Sequence, residues 1–232
     1  MLLEWKYKDM TSVITVDGPS GVGKGTISEY LSDELKWNYL NSGALYRSIA
    51  WVVINDSIDL TDSVELENAS KNILFSLQDK KLLIEYKSET IGSLIYNEEV
   101  AKTASKVASN PKVRESIVNI QRAFKKEPGL VAEGRDMGSV IFPESELKIF
   151  LNASIETRAG RRYKQLKDRE FNVSLPALIK DLDARDGRDK SRENSPLVIP
   201  DGALVIETDD LTIIDVKNIV KEKVNRTYGT NI

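Results

Sequence analysis

The sequence predicts an α/β protein: a mostly parallel β-sheet covered by helices on both faces, with one core and local excursions from it. Three observations predict it. Short β-branched or apolar runs alternate with amphipathic helical patterns towards both ends of the chain. A glycine-rich loop stands between the first such run and the first helix. No internal repeat, low-complexity tract or Pro/Gly-rich linker divides the 232 residues into tethered parts.

Taken in order, Val13–Asp17 (VITVD) is a β-branched run that ends at a glycine and reads as a buried strand. After the loop, Ile27, Tyr30, Leu31 and Leu35 fall on one face of a helix. Trp37–Leu40 reads as a second strand, and Ser42 as the cap of a helix running to about Ile54. Ile73–Leu77 and Lys81–Tyr86, joined by Gln78-Asp79-Lys80, form a β-hairpin pattern. Asn97 to Lys126 is helical with a break at Pro111. Leu130–Glu133 and Lys148–Leu151 are strand candidates, followed by helices at Ser154–Asp168 and Leu175–Asp186. Ala203–Glu207 is a last strand, and Thr212–Arg226 a last helix with Val216, Ile219, Val220 and Val224 facing inward. The middle third interrupts the alternation and reads as an insertion.

Composition removes much chemistry. Histidine and cysteine are both absent. An imidazole-based nucleophile relay is therefore excluded, as are Cys/His zinc sites, iron–sulfur clusters and disulfides. What remains is the chemistry of carboxylates, Lys, Arg, hydroxyls, backbone amides and hard cations. The 33 basic and 36 acidic residues leave a net charge of −3, which argues against duplex nucleic acid as the main partner. Apolar residues make up 41%, ordinary for a globular chain able to bury a sizeable core. The longest apolar run, Ile49 to Ile54, is far too short to span a membrane. The opening MLLEWKYKDMTS lacks the apolar core of a signal peptide, so the cytoplasm is the expected compartment.

The most informative stretch is Gly18, Pro19, Ser20, Gly21, Val22, Gly23, Lys24, Gly25 and Thr26. Gly18, four residues, then Gly23-Lys24 has the spacing of a P-loop, with a strand before it and a helix after it. Glycines let successive N–H groups point at one anion, the helix N-terminus adds positive charge, and Lys24 reaches the β- and γ-phosphates of a nucleotide. One residue departs from the pattern. Gly25 follows the lysine, and the hydroxyl comes one later, at Thr26. Without a hydroxyl beside Lys24, an Mg²⁺ ion is left to phosphate oxygens and waters, as Mg²⁺ tolerates.

P-loops serve motors, switches and kinases. The N-K-x-D and D-x-x-G motifs of a GTPase switch are missing. Arginines instead gather in the C-terminal half: Arg158, Arg161, Arg162, Arg169, Arg185, Arg188 and Arg192. Any one of them could belong to a solvated helix face. With a P-loop, several on one helix suggest a lid over polyphosphate. A kinase acting on a monophosphate also needs no histidine, because the acceptor phosphate, with a second pKa near ~6, is already mostly dianionic. The work left is to align two anions and neutralise their repulsion.

At this point the residues resemble a family, the bacterial cytidylate kinases of the nucleoside monophosphate kinase branch of P-loop proteins. The landmarks run in order through nearly the whole chain: DGPSGVGKGT, NSGALYR (Asn41–Arg47), VASNPKVRESI, EGRDMGSVIFP (Glu133–Pro143), KIFLNAS and RDGRDKSR (Arg185–Arg192). The resemblance implies a three-layer P-loop kinase fold with an inserted monophosphate-binding region and an Arg-rich lid. It divides a single domain into a core (about 12–41, 107–157 and 170–232), the insertion (about 42–106) and the lid (about 158–169). It implies Mg²⁺-dependent transfer from ATP, held by Gly18 to Thr26, to CMP or dCMP. Arg47 and Arg135 would grip the acceptor phosphate, with Ser42 and Tyr46 in the same motif. Ser105, Arg114 and Asp136 match the positions that read cytosine. Arg185 and Asp189 match those that contact the sugar, and Arg192 matches another acceptor-side position. Lys24, Arg135, Arg161 and Arg162 would stabilise the transferring phosphoryl group. The partners implied are small nucleotides, not nucleic acid or membrane, for a chain that is most simply a monomer.

The chemistry agrees with that mapping. A carboxylate accepts from the exocyclic amine of cytosine, and an arginine satisfies its acceptors. A salt bridge from Asp136 to Arg135 or another arginine is the plainer reading of the same residue. Two departures stand out: Asn41 precedes Ser42 where relatives often have Asp, and Glu133 stands where Asp is also seen. Glu133 could orient a metal-bound water or pin Arg135. Another small-molecule kinase on this fold, or a nucleotide-binding regulator without turnover, would share many of these features.

Overall fold

The computed structural model describes residues 11–168 and 173–232. Arg169, counted above in the basic cluster, lies outside the described residues, as do residues 1–10. Strand β1 (Val13–Asp17) leads through the glycine loop into helix α1 (Lys24–Leu35), where Ile27 and Leu31 are buried and Tyr30 and Leu35 half-buried. Strand β2 (Asn38–Asn41) runs directly into α2 (Ser42–Asn55). Here the structure corrects the expected cap. Asn41, not Ser42, is the N-cap, its side-chain oxygen accepting from the Ala44 N–H at 3.1 Å. Asn41 is still extended when the helix begins, which is the backbone a cap needs.

Next come α3 (Ser63–Lys71), which the sequence pattern did not announce, and a small antiparallel sheet of β3 (Ile73–Gln78), β4 (Lys81–Tyr86) and β5 (Glu89–Thr90). The hairpin turn is Asp79-Lys80, with φ of 50° and 66°, the left-handed pair that a two-residue hairpin requires. Helices α4 (Glu98–Val107) and α5 (Pro111–Ala123) follow, the second capped by Asn110 with Pro111 in its first turn. Strand β6 (Leu130–Gly134) leads to a single π-helical turn at Met137–Ile141, also unforeseen, and then to β7 (Leu147–Asn152). The chain ends with α6 (Ile155–Lys167), α7 (Leu175–Lys190), β8 (Leu204–Glu207) and α8 (Ile213–Tyr228).

The main sheet has the order β2-β6-β1-β7-β8, and every pairing in it is parallel. Period-two alternation feeds both faces. Val13, Leu130 and Ala132 pack with α2, α5 and the insertion, while Ile14, Val16 and Val131 pack with α1 and α8. On α8 the buried stripe is Val216, Val220 and Val224. Ile219, expected to face inward, is 37% exposed because it lies one residue off that i, i+4 row. A third, small cluster joins α6 and α7 through Ala159, Leu166 and Leu178. Among the described residues, no helix is long and apolar enough to cross a membrane.

The hairpin tip returns to the main sheet. The Tyr39 N–H on edge strand β2 donates to the Lys80 carbonyl at 3.1 Å, and Lys80 Nζ donates to the Lys36 carbonyl at 2.6 Å. Parallel register places the ends of β1, β2 and β6 side by side, Asp17 next to Gly134 and Asn41 next to Glu133. The glycine loop, the start of α2 and the Arg135-Asp136 segment therefore meet at the carboxyl edge of the sheet, where α/β proteins bind ligands.

Asp17 ends β1 fully buried and accepts from the backbone N–H groups of Met137 (3.0 Å) and Gly138 (2.8 Å), which ties the π-helical turn to the central strand. Burial outweighs those two bonds and pushes its carboxyl from 3.8 up to about 7. A folded-state value above the unfolded one is stabilising below the unfolded value, and that stabilisation is lost as pH rises towards 7. Asp17→Asn removes the titration. The stability advantage of the wild type over this variant should therefore be larger at pH 5 than at pH 7.5. Urea unfolding at the two pH values checks this, and a gap independent of pH would refute it.

Candidate active site

The glycine loop needs Gly18 for a close approach. Its φ is 144°, and a Cβ there would lie 2.1 Å from the Leu151 carbonyl oxygen of β7. Lys24 opens α1 as a buried residue, and its Nζ donates to the Pro19 carbonyl at 2.7 Å, so the ammonium is folded back over the loop. Burial, and then Arg135, lower its pKa well below the usual lysine value, against the pull of Glu133. Arg158 anchors the loop from below. It donates to the carbonyls of Ser20 (3.1 Å) and Ala153 (3.0 Å) and pairs with Asp186 at 2.7 Å.

A cleft of about 730 Å³ runs from this loop to α4 and α5. Its walls take in Ser20 to Thr26 of the loop, whereas Gly18 and Pro19 are not among the residues that line it. The same cleft gathers Ser42, Tyr46 and Arg47 from α2, Ser105 from α4, Arg114 from α5, and Arg135 and Asp136 after β6. Arg161 and Arg162 of α6, Arg185 and Asp189 of α7, and Arg192 complete it. All the residues expected on the acceptor and transfer side are thus brought to one place. Leu211, Ile213 and Val216 give the loop end of the cleft an apolar wall that sequence reasoning had not assigned.

Helix α7 was expected to stop near Asp186. It continues to Lys190, through Gly187. That extension sets Arg185 and Asp189 one turn apart, and ion pairs from outside the helix hold its last turns. Asp189 is 1% exposed and accepts from Arg135 Nε at 2.8 Å and from Arg192 Nη2. Burial pushes its carboxyl up, but Arg135, Arg192 and Arg185 outweigh burial and hold it below the usual carboxylate range. Arg185 is the converse: burial, then Arg135, push its guanidinium down to about 9. The buried Nε atoms of Arg114, Arg185 and Arg192 have no hydrogen-bond partner among the described residues. Such groups accumulate where an anion binds.

Asp136 and Arg114 form a buried ion pair, with the guanidinium also donating to the Ala108 carbonyl at 3.2 Å and lying 5.6 Å from the Tyr46 ring centre. Asp136 thus pairs with an arginine, but not with its neighbour Arg135. Glu133 does not pin Arg135 either. It accepts from the Tyr39 hydroxyl at 2.7 Å, and burial raises its carboxyl pKa while Lys24 opposes that rise. Arg47 donates to the Ile95 carbonyl at 3.1 Å. Arg161 donates to Thr208, to Oγ1 at 3.0 Å and to the carbonyl at 2.6 Å, while Arg162 pairs with Glu98 across the cleft.

Sequence reasoning missed four contributors. Arg188, read only as one of the basic cluster, donates to the Ser105 hydroxyl at 3.1 Å. Arg158 and Asp186 were invisible as a pair because 28 positions separate them. Tyr39 sat in a strand candidate with nothing to mark its hydroxyl. For metals, no group of three or more His, Cys, Asp or Glu among the described residues could hold an ion.

Because Arg158 and Asp186 are both buried, removing one partner leaves the other uncompensated. Arg158→Met should lower the unfolding free energy by about 3–5 kcal/mol. Guanidinium denaturation measures it, and a loss under about 1 kcal/mol, the range of a surface pair, would deny the bridge its anchoring role.

The sequence model of the family described as Cytidylate kinase matches residues 14–226. A relative named cytidylate kinase from Aeromonas salmonicida is 42% identical over 209 residues, 89% of this chain and 91% of its own. One of the same name from Colwellia psychrerythraea is 43% identical over 216 residues, 91% and 95% of the two chains. Another, from Shewanella denitrificans, is 43% identical over 225 residues, 95% and 99%. Among solved structures, TT1252 from Thermus thermophilus aligns with a TM-score of 0.48 at 14% identity, over 94% of this chain and 98% of that one. A family match across most of the sequence, joined to relatives this similar along nearly their whole length, places the chain in the cytidylate kinase family as a nucleoside monophosphate kinase, a phosphotransferase.

Proposed function

We propose that this enzyme transfers the γ-phosphoryl group of ATP to CMP or dCMP, giving ADP and CDP or dCDP. The observation that carries the reading is a single cleft with a P-loop lysine at one end and a buried Arg114–Asp136 pair at the other, joined by a row of arginines. ATP lies along residues Gly18 to Thr26, its base against the apolar wall of Leu211, Ile213 and Val216. The acceptor phosphate meets Arg47 and Arg135, its sugar meets Arg185 and Asp189, and Arg192 lies on the same acceptor side. Ser42, Tyr46 and Ser105 line the pyrimidine and phosphate path. Residues 42–106 act as the monophosphate-binding region, and the part of the expected lid that is described, residues 158–168, closes over the phosphates.

The donors present suit a divalent ion of modest demands. The P-loop hydroxyl position is taken by Gly25, and Asp17 already accepts two backbone bonds. Glu133 is a carboxylate close to the loop: a Cβ on Gly25 would lie 3.7 Å from one of its oxygens. Such a set fits Mg²⁺ held by phosphate oxygens and waters, with Glu133 facing its water shell. Bound there, Mg²⁺ would supply charge neutralisation for the nucleotide phosphates.

The chain's own residues do the rest. Lys24 leaves the Pro19 carbonyl for the phosphates, and Arg135, Arg161 and Arg162 surround the transferring group. A dianionic acceptor oxygen attacks the γ-phosphorus in line, the bond to the β–γ bridging oxygen breaks, and ADP leaves. No protein base is needed, in keeping with a chain free of histidine. Asp136 accepts from the cytosine amine and faces a uracil carbonyl with no proton between them, which disfavours UMP.

Coupled ADP-release assays with AMP, GMP, UMP, CMP and dCMP should give highest turnover with CMP or dCMP, and Lys24→Ala should abolish it. Equal turnover with AMP or GMP would refute the base assignment. Asp136→Asn should reduce the ratio of kcat/KM for CMP over UMP by at least about tenfold, the weight of one buried polar contact. An unchanged ratio would remove Asp136 as the reader.

A further inference from the structure

Tyr39 lies on β2, two residues before Asn41 and therefore on the same face of the sheet. In the parallel register of β2 and β6, Asn41 is the neighbour of Glu133, so the phenol and the carboxylate share that face. The Tyr39 hydroxyl donates to Glu133 Oε1 at 2.7 Å. Opposite both stands Gly25, in the first turn of α1. A Cβ at Gly25 would lie 3.7 and 3.8 Å from the two Glu133 oxygens and 3.9 Å from the Tyr39 hydroxyl. The missing side chain thus opens a gap that the carboxylate faces, and Tyr39 fixes how it faces it. Glu133 lines the nucleotide cleft and is 6% exposed.

We infer that Tyr39 is a positioning residue for phosphoryl transfer: its hydroxyl clamps Glu133 Oε1 so that the carboxylate is held facing the P-loop, beside Lys24, where the metal–nucleotide complex would sit. The inference rests on the proposed ATP-binding role of that loop. The rest of Tyr39 is anchored without the hydroxyl. Its N–H is held by the Lys80 carbonyl at 3.1 Å, and the residue lines a second cavity of about 400 Å³ together with Trp37 and Tyr96. Phenylalanine would fill the same space with the same backbone bond. Burial and Glu133 also raise the phenol pKa, so the hydroxyl remains a donor throughout the working range. The Asn41 amide oxygen is occupied in capping α2, and Glu133 supplies a carboxylate on this face.

The test is a double-mutant cycle of Tyr39→Phe and Glu133→Gln. Tyr39→Phe should lower kcat about tenfold, as loss of an orienting partner does. KM for CMP should stay within about twofold, since the acceptor side is untouched. The affinity of a fluorescent ATP analogue should fall in the presence of Mg²⁺ and stay unchanged without it. In the Glu133→Gln background the second change should have little further effect, because both act through one carboxylate. The inference is overturned if Tyr39→Phe keeps wild-type kcat and Mg²⁺-dependent affinity, if the two losses simply multiply, or if KM for CMP rises in step with a lower Tm. Wild-type protein that transfers phosphate while Tyr39→Phe is silent overturns this inference alone; wild-type protein that binds no ATP overturns the reading of the loop as well.

Discussion

Guanidinium groups repel one another, and this fold packs many of them around one cleft. The carboxylates placed among them make that possible. Asp189 sits between Arg135 and Arg192, Asp136 against Arg114, and Asp186 against Arg158. In these three clusters the buried charges face one another, so the cost of desolvation is offset by near-contact attraction. The balance is incomplete where the acceptor is expected. Burial and the neighbouring Arg135 both disfavour the charged Arg185 guanidinium, a cost that a bound dianion would offset.

The cleft is also spanned from side to side. Arg162 pairs with Glu98, Arg188 reaches Ser105, and Lys102 pairs with Asp181 at 3.0 Å, each contact joining α4 to α6 or α7. Several of these groups are also those expected to meet substrate. Under the proposed function, nucleotide binding would exchange protein–protein contacts for protein–nucleotide ones at those groups.

How far the sequence could be read depends on the range of the interaction involved. The P-loop is local: spacing, flanking strand and flanking helix all lie within one short segment, and it stands where expected. The strands were legible because parallel strands buried on both faces leave apolar runs. The cap of α2 was misplaced by one residue because Asn41 and Ser42 are both good caps, and only the backbone of β2 decides between them. The length of α7 was missed because Gly187 looks like a stop, and the ion pairs that keep the helix going come from other elements. Tyr39 and Arg158 were unreadable for the same reason. Nothing near them in sequence reveals Glu133 or Asp186.

The hairpin tip has a consequence outside catalysis. Strand β2 is an edge of the main sheet, and an open edge is a template on which another chain can add a strand. The Lys80 carbonyl occupies the Tyr39 N–H on that border, and the Lys80 ammonium is tied down on the Lys36 carbonyl. The excursion that interrupts the α/β alternation thereby doubles as a guard against self-association. Trimming the tip to simplify the protein would bare that border and invite sheet growth between molecules, whatever it did to turnover.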